Sequence, residues 1–167
     1  MKTLMICEKS YIAEQIKDAI DNCDDAVFYS FCSNVILYSL DGVKLLHESE
    51  RPHIHNFDEV IYNSPKKYIN GEKFYVSGSP TVLDTHVENI ISILKENDDI
   101  DNIINACDDD ISGKAMFDFV IKSVSDTINI ENISITDFNL NEVWSKSEIS
   151  EWWNNFNTKT EEDISLD

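Results

Sequence analysis

The chain has 167 residues, 42% of them hydrophobic, and a formal net charge of −19 from 32 acidic against 13 basic residues. That length suits one domain around one core, and the longest apolar runs, Val35 to Leu40 and Ile100 to Cys107, fall far short of the ~20 residues of a membrane-spanning helix. Arg51 is the only arginine, so phosphate binding by a dense lysine and arginine surface is excluded, and nucleic-acid work would need metal ions, a local lysine patch or a basic partner.

Leu4 to Cys7 is a continuous apolar run that predicts a buried strand ending at Glu8. Ser10 is placed to cap a helix from about Tyr11 to Asn22, with Ile12, Ile16, Ala19 and Ile20 on one face. Ala26 to Phe31 predicts a second strand. Asn34 to Leu40, the Asp41-Gly42 turn and Val43 to Leu46 predict a hairpin. His53 to Asn56 and Val60 to Tyr62 are less regular, and Tyr68 to Val76 predicts another hairpin, centred on Asn70-Gly71.

Ser79-Pro80 opens a helix reaching about Glu96, with Val82, Val87, Ile90, Ile91 and Leu94 as its apolar stripe. Ile103 to Cys107 predicts a strand. The loop Asp108-Asp109-Asp110 follows, then a helix from about Ser112 to Ser125 that buries Ala115, Phe119 and Val120. Ile133 to Phe138 predicts a further strand and Ser147 to Phe156 a last helix, with Trp152 and Trp153 closing the core. Residues 158–167 are polar and acidic, and disorder is expected there. The order implies an α/β domain over residues 1–157, a central mainly parallel sheet flanked by helices, with a β-rich insertion at about 35–78.

Cys7, Cys23, Cys32 and Cys107 are dispersed without a C-x-x-C pair, which predicts reduced packing thiols rather than disulfides or a zinc site. The N-terminus lacks the pattern of a signal peptide, so a cytoplasmic location is expected. High asparagine and isoleucine content is compatible with an AT-rich genome such as that of a phage or mobile element.

If strands 4–7 and 102–107 lie side by side and parallel, Glu8, Asp108 and Asp110 converge at their carboxyl ends, where open α/β sheets bind ligands. Mg²⁺ takes oxygen ligands and keeps several waters, so Asp108 and Asp110 suffice from the protein. Gly113 permits a tight turn, and the helix N-terminus adds partial positive charge. Lys9, Asp109, Ser112 and Lys114 are the supporting polar residues, with Lys9 placed to steady a phosphate or Glu8.

Leu4-Met5-Ile6-Cys7-Glu8-Lys9-Ser10 together with Ile103-Ile104-Asn105-Ala106-Cys107-Asp108-Asp109-Asp110-Ile111-Ser112-Gly113 resembles the two signatures of Toprim domains, especially those of type IA topoisomerases. Phe31 to Leu37 and Ile133 to Val143 resemble weaker family segments, so the likeness spans most of residues 1–143. It implies a Toprim-like (Rossmann-like) fold, Mg²⁺ or Mn²⁺ held by Asp108 and Asp110, and Glu8 as general acid or base near a scissile phosphate. The family's second motif usually continues with arginine, glutamate and a further acidic residue, where this chain has Ile111, Ser112 and Lys114. A glycine-histidine pair is replaced by Asn34-Val35, and no downstream domain carrying a topoisomerase tyrosine is expected. The expectation is a stand-alone domain, not a complete topoisomerase, that cleaves phosphodiesters or assists a nuclease or topoisomerase partner.

Lys66, Lys67 and Lys73 interleave with Tyr62, Tyr68 and Tyr75, a pattern that can hold a nucleic-acid strand by charge and stacking or protect a sheet edge. His53-x-His55 lacks further metal ligands and reads as a surface strand. The acidity suggests another class of function: a non-catalytic, DNA-mimic-like inhibitor of a DNA-processing or defence protein.

Overall fold

The structure is a computed structural model that describes residues 2–20, 25–32, 36–39, 66–69, 72–77, 80–108, 111–138 and 145–165. Outside these lie Asp109, Asp110, Cys23, Asn34-Val35, His53-x-His55, Val60 to Tyr62, and most of the hairpin expected at residues 34–46. In chain order the elements are β1 (Lys2–Cys7), α1 (Ser10–Ala19), β2 (Ala26–Ser30), β3 (Ile36–Ser39), β4 (Lys66–Ile69), β5 (Glu72–Ser77), α2 (Pro80–Glu96), β6 (Ile100–Ala106), α3 (Ile111–Thr127), β7 (Ser134–Asp137) and α4 (Lys146–Ser165).

The fold is α/β and Rossmann-like, with an all-parallel central sheet in the order β2-β1-β6-β7. Parallel neighbours cannot be joined by tight turns, so crossover helices cover the faces. A sheet covered on both faces needs apolar residues on both, which is why β1 is a continuous run: Leu4, Met5, Ile6 and Cys7 are all fully buried. Leu4, Ile6 and Ile103 pack on the side of α2 and α3 with Leu83, Ile90 and Val120. Met5, Cys7 and Ile104 pack on the side of α1 and α4 with Ile16, Ile149 and Trp153. Each such Leu or Ile contributes roughly 1.5–3 kcal/mol on full burial.

A second sheet, antiparallel and in the order β3-β5-β4, lies against α3. Covered from two sides, α3 buries Ala115, Met116, Phe117, Phe119, Val120, Ile121 and Val124, most of its circumference. The hairpin expected at Asn70-Gly71 is present as β4 and β5, with Ile69 paired to Glu72.

Three boundaries differ from expectation. Ser10 is the first helical residue and Lys9 holds the cap position, in extended conformation and without a side-chain cap bond, because the chain turns off the sheet at Glu8 and Lys9. The same helix stops at Ala19, where Ile20 turns extended. At the other end α4 starts earlier and runs further than expected, to Ser165. Ser145 and Glu148 form a capping box, Glu148 N–H donating to Ser145 Oγ and Ser145 N–H to Glu148 Oε1, both at 3.2 Å. No proline or glycine interrupts residues 146–165, so polar composition alone did not end the helix.

Candidate cation and phosphate site

The chain enters β2 from β1 through α1 on one face, and enters β7 from β6 through α3 on the other. Strand order therefore reverses between β1 and β6, the switch point where open α/β sheets form a crevice at their carboxyl ends. Cys7 pairs with Ala106 in register, which delivers Glu8 and, one residue beyond Cys107, Asp108 to that crevice.

Gly113, in the first turn of α3, closes the site from the third side. A Cβ there would overlap the Asp108 carbonyl oxygen and Glu8 Oε1, so only glycine lets the helix start this close to both strand ends. The Glu8 Oε1 atom is buried. Backbone bonds tie the neighbouring loop down: Phe31 N–H donates to the Cys7 carbonyl at 3.0 Å and Cys32 N–H to the Glu8 carbonyl at 2.9 Å.

Lys9 pairs with Asp108, its Nζ 3.3 Å from Oδ2. The hydrogen bond to that carboxylate, and its charge, hold the Lys9 ammonium above its ordinary pKa. Positive charge is thus already drawn to Asp108.

Asn105 positions the loop, a role not anticipated from sequence. Its Oδ1 accepts from Cys107 N–H at 3.1 Å, its Nδ2 donates to Asp137 Oδ1 on β7 at 3.1 Å, and its carbonyl accepts from Phe138 N–H at 2.9 Å. The signal available was a polar residue two positions before the end of an apolar strand, a place for an Asx turn.

His86 was also missed. It lies on the buried stripe of α2, three residues after Leu83 and four before Ile90, and its Nδ1 is 2.6 Å from Tyr29 Oη. Asn89 Nδ2 donates to the same hydroxyl at 3.2 Å. The Tyr29 hydroxyl thus bridges the Asn89 amide and the His86 ring. Burial lowers the His86 pKa and raises that of Tyr29. The ring stack with Phe31 joins this cluster to the end of β2.

Glu8, Lys9, Asp108 and Gly113 therefore stand together, and Lys114 is the next, exposed residue of α3. Asp109 and Asp110 lie outside the described residues, and Ser112 is placed only as a position in α3. Among the described residues no group of three or more His, Cys, Asp or Glu could hold a metal ion. Glu8 and Asp108 nonetheless suit a hard cation chemically: both offer carboxylate oxygens, and Asp108 already attracts an ammonium. Lys66 and Lys67 lie on β4 and Lys73 on β5, and consecutive positions on a strand belong to opposite faces.

Cys7 and Cys107 are buried as expected, and burial pushes the Cys7 thiol up to about 12, where it is inert. Cys32 departs from the packing role: it is exposed, with a left-handed φ of 47°. No helix among the described residues is long and apolar enough to cross a membrane. No protein-family model matches the chain, and no curated protein matches it significantly.

Proposed function

We propose that the chain is a Toprim-like, Mg²⁺-binding protein of nucleic-acid metabolism that acts on phosphodiesters or assists a topoisomerase or nuclease partner. The observation that carries this reading is the meeting of Glu8 and Asp108 with Gly113 at the switch point between β1 and β6. In this reading Asp108 and Asp110 hold the ion, and Mn²⁺ would serve in its place. The bound cation supplies charge neutralisation and orients the phosphate. Glu8 gives or takes a proton at a phosphodiester oxygen, and the N-terminus of α3 adds its partial positive charge to the same crevice. With a cation held at Asp108, the Lys9 ammonium would be available to pair with the substrate phosphate.

The decisive measurement is thermal melting across a Mg²⁺ titration. A ligand that binds only the native state stabilises it by about 2.7 kcal/mol at one hundred times its Kd. The wild type should rise accordingly and Asp108→Ala and Asp110→Ala should not; a flat wild-type curve sinks the metal reading. Turnover is tested separately with labelled DNA and RNA, where Glu8→Gln should abolish cleavage.

The net charge of −19 favours a second reading, a non-catalytic DNA mimic that occupies a basic DNA-processing or defence protein. A partner captured on the immobilised chain would then be released by moderate salt and displaced by duplex DNA. Capture that resists both rejects the mimic.

A further inference from the structure

His86 stands where the helical pattern asks for an apolar residue. On α2 it falls between Leu83 and Ile90, both fully buried, and is itself only 6% exposed. Its Nδ1 is held 2.6 Å from Tyr29 Oη on β2, and its ring lies against Phe31, with centroids 4.9 Å apart. Nε2, at the far end of the ring, is buried with no hydrogen-bond partner. A buried polar atom left unpaired is costly, and a leucine in the same stripe would avoid that cost.

Phe31 and Cys32 in turn hold the loop that leaves β1. Their backbone N–H groups donate to the Cys7 and Glu8 carbonyls at 3.0 and 2.9 Å. Cys32 takes a left-handed φ of 47°, a conformation that a non-glycine residue keeps only while its surroundings impose it. Contacts therefore run from His86 through the Phe31 ring to the backbone of Glu8.

We propose that His86 is a pH-sensitive latch on the Glu8 loop, closed when the imidazole is neutral and released when it is protonated. Protonation makes both ring nitrogens donors. Tyr29 Oη can accept from Nδ1, but Nε2–H would be buried with a positive charge and no acceptor. The imidazolium therefore turns out to water, which withdraws its ring from Phe31 and frees the end of β2. The described groups around His86 do not offset that charge: β2 presents the Tyr29 phenol, whose proton burial retains, and the Cys32 thiol beside it. On α2 itself Asp84 and Glu88 occupy exposed positions, and on α3, packed against α2, Asp118 is engaged with Lys122 at 3.0 Å. Burial holds the His86 pKa below its ordinary value, the direction that keeps the latch closed near neutral pH. Control of Glu8 rests on the function proposed above, whereas the latch rests on these contacts alone.

The test is amide hydrogen exchange of the full-length, metal-free chain from pH 7.5 to 5, corrected for intrinsic exchange rates. A released His86 ionises near ~6.5, so acidification over that range should favour opening by up to about 30-fold. Wild-type Phe31 and Cys32 should lose protection accordingly, while Ile103 and Ile104 of β6 keep theirs. His86→Leu and His86→Gln, which cannot titrate, should hold Phe31 and Cys32 at constant protection. Should either variant fail to fold, the other decides. Protection that stays constant with pH in the wild type, falls equally in His86→Gln, or falls together with that of β6 overturns the latch. A flat Mg²⁺ melting curve beside pH-dependent protection supports the latch and rejects the metal reading alone.

Discussion

The parallel sheet and the antiparallel sheet arrange their charged residues in different ways. At the first, buried strands deliver Glu8 and Asp108, and Lys9 is drawn onto Asp108. Such a site must bring in a cation before it can bind another anion. At the second, the register sets Lys66 opposite Tyr75, Lys67 opposite Phe74 and Lys73 opposite Tyr68. The two sheets thus divide between charges that only the fold brings together and charges that a hairpin pairs within a short stretch of chain.

The sharpest way to break this division is at Gly113. Gly113→Val should cost about 1–3 kcal/mol of stability, because the new side chain meets backbone at Asp108 as well as Glu8. Urea denaturation measures the loss, and the Mg²⁺ melting shift should vanish with it. A variant as stable as wild type would show that the close approach of α3 is not what assembles the site.

Asn105→Val keeps a strand-forming residue but removes two side-chain hydrogen bonds, for a loss of about 1–2 kcal/mol. It should also reduce the Mg²⁺ melting shift, since the loop that carries Asp108 loses its support. A melting shift equal to that of the wild type would place Asn105 outside the support of the site.

Acidification probes the support beneath β2. The folded pKa of His86 is lowered by burial, so between that value and the ordinary ~6.5 the unfolded chain binds more protons. The stability contributed by neutral His86 is complete above ~6.5 and is lost as pH falls towards the folded value. One proton limits the slope to about 1.4 kcal/mol per pH unit. Melting of wild type and His86→Gln from pH 7 downward should show this slope only in the wild type.

The smallest expected effect on stability is that of Lys9→Met, under about 1 kcal/mol for a half-exposed ion pair. Mg²⁺ should nevertheless bind more tightly, since the ammonium no longer competes for Asp108. Weaker Mg²⁺ binding in this variant would place Lys9 outside that competition.

Much of the fold was legible because burial leaves a periodic signature. A continuous apolar run marked β1 and a largely apolar one marked β6 as strands of the core, and the stripe after Pro80 marked α2 to its last residue. Asn70-Gly71 announced a hairpin, and β4 and β5 pair antiparallel on either side of it. Ser10 misled because its place as cap depended on where β1 released the chain. The end of α4 was misjudged because polar composition signals exposure, and an exposed helix is still a helix.

The candidate site divides along the same line. Glu8, Asp108 and Gly113 stood out by residue type and by neighbourhood to strands and a helix. Asn105 and His86 did not, since an isolated polar residue in an apolar segment declares no partner; Asp137 is 32 residues from Asn105, and Tyr29 is 57 from His86. Lys66, Lys67 and Lys73 formed a loose patch in which all three were equivalent, because the sequence does not state a register.

By itself the sequence determined the element types, the acidic surface and the candidate carboxylates, all of which depend on local pattern and composition. Tertiary structure decided which strand ends are neighbours, that Lys9 pairs with Asp108, and that Lys67 parts from Lys66 and Lys73. The reason is physical: periodicity records how each element is buried, whereas strand order and register arise from contacts between segments distant in the chain.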